Sequence, residues 1–196
     1  ARRQGLFYPP DPASLDKCSV GGNASTNAGG PACVKYGTTR DYVMGLDVVL
    51  PTGELISAGV RTRKGVVGYD LARLIVGSEG TLGVITKLVL KLLAAPASIA
   101  TIAAVFDRLP EALQAVTTLL TSGHLPSAVE FLDGRCLSLV SDLLPFPGIS
   151  GAGAFLLVET DGIPEVVAGE VDAVTRICRD GGAKDVLSAP EGDVRE

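Results

Sequence analysis

The sequence has no tryptophan, a single histidine (His124) and an aromatic content of only 5% over 196 residues. With one histidine, the chain has little chance of holding a complete histidine-dependent catalytic site by itself. Its formal net charge is −5, and it has no block of lysine and arginine, which argues against nucleic acid as a partner. Its apolar runs fall well short of the roughly 20 residues that a membrane-spanning helix needs, so we expect no membrane span.

The four cysteines form no C-x-x-C pair and lie near no histidine cluster (Cys18, Cys33, Cys136 and Cys178). This spacing gives no support for a zinc site or a disulfide framework, so we expect free thiols and no bound metal. Free thiols favour a reducing compartment, and we expect a cytoplasmic protein. The content of hydrophobic residues, 46%, and of charged residues, 20%, is typical of an ordinary globular chain.

The glycines divide the chain into two halves of different texture. They crowd into residues 21–37 and 53–83, whereas residues 98–196 alternate strand-like and helix-like segments. The sequence AAPA at residues 94–97 is the predicted joint, because proline cannot continue a β-ladder. Two units are therefore expected, residues 1–94 and residues 98–196.

Both ends of the sequence look cut. Residues 8–12 (YPPDP) lead straight into the glycine-rich half, with no earlier element that could begin a domain. Residues 190–196 form a polar segment that starts like a helix with nothing to pack against. We therefore expect this chain to be part of a longer protein.

The first half predicts a β-hairpin followed by a short helix and a further strand. Strands at residues 45–50 and 54–58 flank a PTG turn in which Gly53 takes a positive φ. The remaining elements are a helix over residues 69–75, a loop over residues 77–83 and a strand over residues 84–92.

The second half predicts the order β-α-β-α-β-α-β, an α+β arrangement of helices on a mainly antiparallel sheet. The strands are residues 99–106, 127–132, 154–159 and 184–187; the helices are residues 110–122, a segment capped by Asp133, and residues 164–179. Helical spacing gives each helix an apolar face. These faces are Leu113, Val116 and Leu120; then Cys136, Leu139, Val140 and Leu143; then Val167, Val171, Val174 and Cys178.

The first segment that indicates chemistry is VGGNASTNAGG, residues 20–30. Its four glycines would let the backbone approach a flat or anionic ligand where a Cβ would collide. Its asparagine, serine and threonine side chains add short donors and acceptors that suit ring carbonyls and ribose hydroxyls. The spacing is not G-x-G-x-x-G, so a Rossmann site is not predicted here. A glycine-rich surface loop is the plain alternative.

The second segment is VGSEGTLGVIT, residues 76–86, with three glycines leading into a β-branched strand. Backbone groups are again placed within reach of a ligand. Glu79 is its only charged residue, and a role in capping a loop amide is as good an interpretation as contact with a ligand.

Together with FYPPDP (7–12), KYG (35–37), TRDYV (39–43) and GYDL (68–71), the two segments resemble the vanillyl-alcohol-oxidase-type FAD family, whose FAD-binding domain is of the PCMH type. Within the family the chain is most similar to the branch with glycolate oxidase flavin subunits, D-lactate dehydrogenases and D-2-hydroxyglutarate dehydrogenases. The resemblance spans essentially the whole chain. In the second half it is carried by PSAVEFLD (126–133) and LLVETDG (156–162).

The resemblance implies a fold and a cofactor site. Residues 1–94 would be the second subdomain of the FAD-binding domain, and residues 98–196 the opening part of a ferredoxin-like α+β substrate cap. The FAD site would be lined by Pro12, Ala13, Cys18, Gly21, Gly22, Asn23, Ser25, Thr26, Ala28, Gly29, Gly30, Tyr36, Gly37, Glu79, Gly80, Gly83, Val84 and Ile85.

The resemblance also implies a function: oxidation of a small 2-hydroxy acid, such as glycolate or D-lactate, with accessory or iron–sulfur subunits as possible partners. The family's pyrophosphate loop, its metal-binding histidine pair and its catalytic base would lie outside these residues, so we assign no catalytic residue and expect residues 1–196 alone to bind FAD weakly or not at all. Two alternatives stay open. One is a non-redox FAD transferase resembling alkylglycerone-phosphate synthase, and the other is a non-catalytic binding module.

Some other residues have both a functional and a structural interpretation. His124 follows a predicted helix end, where a solvated imidazole complements the helix dipole. The basic run of Arg61, Arg63 and Lys64 could contact a carboxylate or phosphate, but a solvated loop is favoured. Glu130, within an apolar strand, is expected to be a satisfied structural carboxylate. Cys18 is expected to pack as a small residue rather than to react.

Overall fold

The computed structural model describes residues 1–62, 64–140, 143, 146 and 148–190. The chain divides into two compact units, Ala1–Ala95 and Pro96–Glu196. The division falls inside the predicted joint, next to Pro96. Arg63 and the predicted polar segment that follows Pro190 lie outside the described residues.

The first unit is built on a three-stranded antiparallel sheet. Strands β2 (Val43–Val49), β3 (Leu55–Gly59) and β4 (Val84–Leu90) lie in the order β3-β2-β4. Residue Gly53 has a φ of +86° in the turn between β2 and β3, so the predicted hairpin is confirmed. A two-stranded ribbon pairs β1 (Leu6–Phe7) with β5 (Leu93–Ala94).

Three short helices complete the first unit: α1 (Val20–Thr26), α2 (Cys33–Tyr36) and α3 (Leu71–Ile75). Asp70 caps α3, because its Oδ1 accepts a hydrogen bond of 3.0 Å from the Arg73 amide. Helix α3 then buries Ile75 and the following Val76 against Leu46 and Val48 of β2. This small core fixes the start of the second glycine-rich segment.

The second unit is a four-stranded antiparallel sheet in the order β7-β8-β6-β9. Its strands are β6 (Ser98–Phe106), β7 (Ala128–Asp133), β8 (Ala154–Gly162) and β9 (Ala183–Pro190); its helices are α4 (Leu109–Thr121), α5 (Gly134–Val140) and α6 (Pro164–Asp180). The predicted order of elements and the α+β fold class are confirmed.

Strand β6 shows why both faces of this sheet are covered. Its residues Ile102, Ala104 and Phe106 pack with α4 and α6, whereas Val105 between them packs with Leu137 of α5. Because successive side chains of a strand point to opposite faces of the sheet, β6 contributes residues to two separate cores. The predicted apolar face of α6 is confirmed, since Val167, Val174 and Cys178 are buried and Val171 packs beside them.

The predicted apolar face of α4 is largely wrong. Leu113 and Leu120 are 42% and 43% exposed, and the buried residues are Ala112, Ala115 and Leu119. Small alanines at the contact let the helix approach its neighbours closely, so the buried stripe is rotated relative to the leucine pattern; Val116 is partly buried at its margin.

The predicted face of α5 is wrong as well. Leu137 is the buried residue, while Leu139 is 84% and Leu143 is 79% exposed. Asp133 does cap this helix as predicted, because its Oδ1 accepts a hydrogen bond of 2.8 Å from the Cys136 amide. In a helix of seven residues, this cap and the strand before it set the rotation, and the sequence period does not.

Candidate functional site

The first glycine-rich segment is mostly helical, so the surface loop that was the plain alternative is not observed. Its first seven residues form α1, which begins at Ser19, whose Oγ accepts a hydrogen bond of 3.0 Å from the Gly22 amide. The helix ends at Asn27, whose φ is +50°. The serine cap and the burial of Ala24 outweigh the poor helix propensity of two glycines. Fewer backbone amides are therefore open to a ligand than predicted.

The two glycine-rich segments meet along a short run of backbone hydrogen bonds. The Gly77 amide donates to the Ala24 carbonyl at 3.0 Å, and the Glu79 amide donates to the Ser25 carbonyl at 2.9 Å. Segments separated by about fifty residues of sequence thus lie side by side, which a shared site requires.

The second segment turns through left-handed backbone. The φ angles of Gly77, Glu79 and Gly80 are +86°, +52° and +79°. Glu79 is exposed and contributes its main-chain amide to the contact with α1. A non-glycine residue in this region costs free energy and persists only where surrounding bonds hold it. The turn is therefore fixed by its bonds to α1.

Two residues outside the predicted site, Thr39 and Arg40, hold this junction together. The Arg40 amide donates to Asn27 Oδ1 at 2.8 Å, and Arg40 Nη2 donates to the Val76 carbonyl at 3.0 Å. Thr39 is fully buried and its Oγ1 donates to the Ala28 carbonyl at 2.7 Å. The sequence signal that could have indicated these residues was the TRDYV motif. It contributed to the family resemblance, but its residues were assigned no role.

The glycines of the two segments differ in what a side chain would contact at each position. A Cβ on Gly29 would lie 2.8 Å from Cys33 Sγ, and one on Gly30 would overlap the Asp11 carbonyl oxygen. These two glycines are therefore required by internal packing. A Cβ on Gly21 would meet nothing within 4 Å, and the same holds for Gly80 of the second segment. Gly21 and Gly80 leave open space at the surface.

The candidate residues differ in their access to solvent. Exposed are Ala13, Gly21, Gly22, Thr26, Gly29, Glu79, Gly80 and Val84; partly buried are Cys18, Ser25, Ala28, Gly30, Tyr36, Gly37 and Ile85; buried are Pro12, Asn23 and Gly83. The exposed set includes members of both segments. A ligand that lies across the junction would contact mainly main chain and small side chains there.

Several candidates are engaged in internal contacts. The Tyr36 carbonyl accepts a hydrogen bond of 2.8 Å from the Tyr42 hydroxyl, and the Tyr36 ring stands edge-on to Phe7 with centroids 5.6 Å apart. Asn23 Nδ2 donates to Cys18 Sγ at 3.3 Å. Burial raises the pKa of Tyr42 above its ordinary value, with Asp41 adding to the effect. These contacts give Tyr36 and Cys18 structural roles.

A cleft in the first unit lies away from this junction. Its volume is about 770 Å³, and none of the eighteen candidates lines it. Among its walls are Lys91, Tyr69 and Arg73, and Arg73 is paired with Asp41 at 3.3 Å and Asp70 at 3.6 Å. Its charged wall is thus mostly neutralised.

A smaller cleft of about 210 Å³ contains Arg61 of the predicted basic run. It also contains Asp47, whose pKa is lowered, first by a hydrogen bond of 2.7 Å from Ser57 Oγ and further by Lys87. In the same loop, the Lys64 carbonyl accepts a hydrogen bond of 2.9 Å from Thr62 Oγ1.

Two residues of the second unit had open interpretations. His124 Nδ1 lies 3.0 Å from Glu170 Oε2, so the single histidine is engaged with α6. Glu130 is exposed on β7, an edge strand of its sheet, so it is a solvated carboxylate and not one held in the interior of the sheet.

No group of histidine, cysteine or acidic side chains in the described residues is placed to hold a metal ion. All four cysteines are free thiols, and burial raises the pKa of Cys178 to about 11. Within the part of the chain that the structure describes, no helix has the length and apolarity to cross a membrane.

Two family models match the chain. The C-terminal domain of FAD linked oxidases matches residues 95–196, and the FAD binding domain matches residues 1–59. The chain belongs to the FAD-linked oxidase family, and the predictions of that family and of FAD as its cofactor are confirmed.

Two curated relatives are similar to nearly the whole length of this chain. The chain is 42% identical over 186 residues to the glycolate oxidase subunit GlcD of Bacillus subtilis, covering 95% of this chain and 40% of the relative. It is 40% identical to a D-lactate dehydrogenase of Anaerostipes hadrus, covering 96% and 41%. The chain thus spans about two fifths of the length of these relatives.

Among solved structures, the chain is similar to an alkyldihydroxyacetonephosphate synthase with a TM-score of 0.81 and 25% identity. The match covers 96% of this chain and 37% of the synthase.

Proposed function

We propose that this chain contributes part of the FAD site and part of the substrate cap of an oxidoreductase that acts on a small 2-hydroxy acid of the glycolate or D-lactate type. The observation that carries the proposal is the junction of two glycine-rich segments, made by the Gly77–Ala24 and Glu79–Ser25 hydrogen bonds, in a chain of the FAD-linked oxidase family. Relatives at 40% and 42% identity are named for D-lactate and for glycolate.

The two units of the chain would contribute different parts of the protein. Residues 1–94 would form the second subdomain of the FAD-binding domain, and residues 98–196 the opening part of the cap. Two contacts support assigning both glycine-rich segments to one subdomain, because the second segment bonds to α1 although the FAD-binding match ends at residue 59.

The residues present fit a flavin on physical grounds. Gly21 and Gly80 have no neighbour within 4 Å of a built Cβ, so a flat ring can approach the backbone closely at both places. Thr26 and Ser25 offer hydroxyl groups at the junction, although Thr26 Oγ1 already donates to the Gly22 carbonyl at 3.1 Å. The remaining lining would come from the other candidate residues. They would hold the cofactor mostly by main chain.

When bound, the flavin supplies at N5 the acceptor for the hydride that leaves the substrate carbon. The part of this chain is to hold the ring in place with few formal charges near it. Fixed main-chain dipoles do this without reorganising during the reaction. The base that removes the substrate hydroxyl proton would come from residues other than these, as the family resemblance implies.

A second candidate keeps the cofactor and changes the reaction: a non-redox transferase. The similarity to the synthase structure, with a TM-score of 0.81, is the observation that favours it. The redox proposal is preferred because the identity to the glycolate oxidase subunit is 42%, against 25% to the synthase. Reduction of bound flavin by a hydroxy acid separates the two.

A chimaera tests the proposal. Residues 1–196 would replace the matching segment of the Bacillus subtilis subunit. The purified chimaera should be yellow, and without oxygen it should bleach when glycolate or D-lactate is added. A folded chimaera that stays colourless in excess FAD would contradict the proposed cofactor site. A yellow chimaera that neither acid bleaches, while the unmodified subunit is bleached, would contradict the proposed reaction.

We also propose that accessory subunits join the complete protein, since the chain resembles a protein named as a subunit. The four free cysteines support a reducing, cytoplasmic location.

A further inference from the structure

Arg40 occupies the point at which the two glycine-rich segments are anchored. It lies in the 3-10 turn Thr39–Asp41. Its amide donates to Asn27 Oδ1 at 2.8 Å, where α1 ends, and its guanidinium Nη2 donates to the Val76 carbonyl at 3.0 Å, where α3 ends. One residue thus binds the exit of one segment's helix and the entrance of the other segment.

The atoms around this bridge are closely packed. A Cβ on Gly77 would lie 2.9 Å from Arg40 Nη2 and 3.0 Å from Asn27 Cβ. The Gly77 amide in turn bonds to the Ala24 carbonyl at 3.0 Å. A shift of the guanidinium would therefore move Gly77 relative to α1 and change the register of the junction.

The charge of Arg40 serves no ion pair within the described residues. The carboxylate next to it, Asp41, instead contacts the Thr38 amide at 2.9 Å and Arg73 at 3.3 Å. Arg40 Nε is buried and has no hydrogen-bond partner among the described residues. Arg40 is partly buried, and its printed side-chain hydrogen bond is the one from Nη2 to the Val76 carbonyl. The guanidinium therefore contributes directly to the bridge between the segments.

We propose that Arg40 is a positioning residue, which holds the two glycine-rich segments in the register that accepts the flavin. This inference rests on the proposed function, since it concerns the same site. Arg40 acts through the main chain of Val76 and Gly77 and is assigned no step of the reaction. Loss of the bridge would loosen the second segment while the β2–β4 sheet stays intact, because the buried core of that sheet does not include Arg40.

The test uses the full 196-residue chain and three variants: Arg40→Met, Arg40→Lys and, as a control, Arg73→Met. Arg73 makes two exposed ion pairs and contacts neither segment through them. Amide hydrogen exchange is measured residue by residue by NMR without ligand, and shift changes are then recorded in a titration with millimolar FAD.

In Arg40→Met we expect exchange at Gly77 and Glu79 to accelerate at least tenfold, while amides of β2 keep wild-type rates. The FAD-induced shifts at Thr26 and Gly80 should fall in the same variant. Arg40→Lys can still reach one carbonyl, so its exchange rates and FAD-induced shifts should lie between those of the wild type and those of Arg40→Met. Arg73→Met should resemble the wild type. Even acceleration across all of β2, β3 and β4 in Arg40→Met would show a general structural role and overturn the proposal.

The two proposals fail separately. If FAD shifts no resonance of the wild-type chain, the FAD content of the chimaera decides the cofactor site, because residues 1–196 alone are expected to bind FAD weakly or not at all, and the exchange rates still decide whether Arg40 holds the segments in register. If wild type and Arg40→Met show equal exchange and equal FAD shifts, the role of Arg40 is refuted while the cofactor site stands. If Arg40→Met does not fold, the Arg40→Lys variant decides the role of Arg40. Wild-type amide exchange rates at Gly77 and Glu79 in this variant would overturn the proposal, and faster exchange confined to these residues would support it.

Discussion

Replacing Gly21 by alanine should stabilise this chain and at the same time weaken its binding of FAD. Gly21 lies inside α1, has no positive φ, and has open space where a Cβ would stand. Glycine within a helix is less favourable than alanine by roughly 0.5–1 kcal/mol, so the substitution should raise the free energy of unfolding by about that amount. For a unit of this size that corresponds to a rise in Tm on the order of 4 °C.

The matched control is Gly169→Ala. Gly169 is an exposed residue within α6, also with nothing within 4 Å of a built Cβ, so it should give a similar stabilisation with no effect on FAD. Urea unfolding of the 196-residue chain, followed by circular dichroism, measures the first effect, and FAD binding by the Bacillus subtilis chimaera with the same substitutions measures the second. Equal FAD binding by Gly21→Ala and wild type would refute the reasoning, because it would mean that no ligand approaches Gly21.

Three further substitutions test particular contacts. Leu119→Ala should cost about 2–5 kcal/mol in unfolding experiments, whereas Leu120→Ala, at a residue 43% exposed, should cost far less; similar losses would contradict the observed face of α4. Gly77→Ala should destabilise more than Gly53→Ala, because both have a φ of +86° but only Gly77 has Arg40 and Asn27 against its Cβ position; equal losses would remove the packing argument. Ser57→Ala should raise the pKa of Asp47 toward its ordinary value in an NMR titration. Because that pKa is lowered in the folded chain, Asp47 stabilises at neutral pH and the contribution is lost as the pH falls through the folded pKa; an unchanged pKa would show that Ser57 is not its main cause.

The elements of the second unit were predictable because each one carries a local signal. Proline near the start of α4 and α6, glycine after α6 and β-branched strands all act within a few residues of the boundary they set. Helix rotation was predictable only for α6, whose valines repeat over 17 residues. In α4, the partners that favour buried alanines over leucines are distant in sequence, so no local pattern contains that information.

The first unit shows a different limit. The meeting of two glycine-rich segments was inferred from a family resemblance, and the structure brings them into hydrogen-bonding contact through Ala24 and Ser25. The helix in the first segment was missed, because two adjacent glycines favour a loop and the serine cap before them was given too little weight. Arg40 was missed because its bonds to Asn27 and Val76 cross 13 and 36 residues of sequence.

Glycine density alone cannot locate a cofactor, because the glycines of these two segments are present for three different reasons. Gly30 is required by the nearby Asp11 main chain, Gly77 by its left-handed backbone beside Arg40, and Gly21 by neither. Only a glycine of the third kind, which lowers helix stability with no internal reason, points to a ligand outside the chain. Gly21 is therefore the residue at which flavin binding and stability should respond in opposite directions.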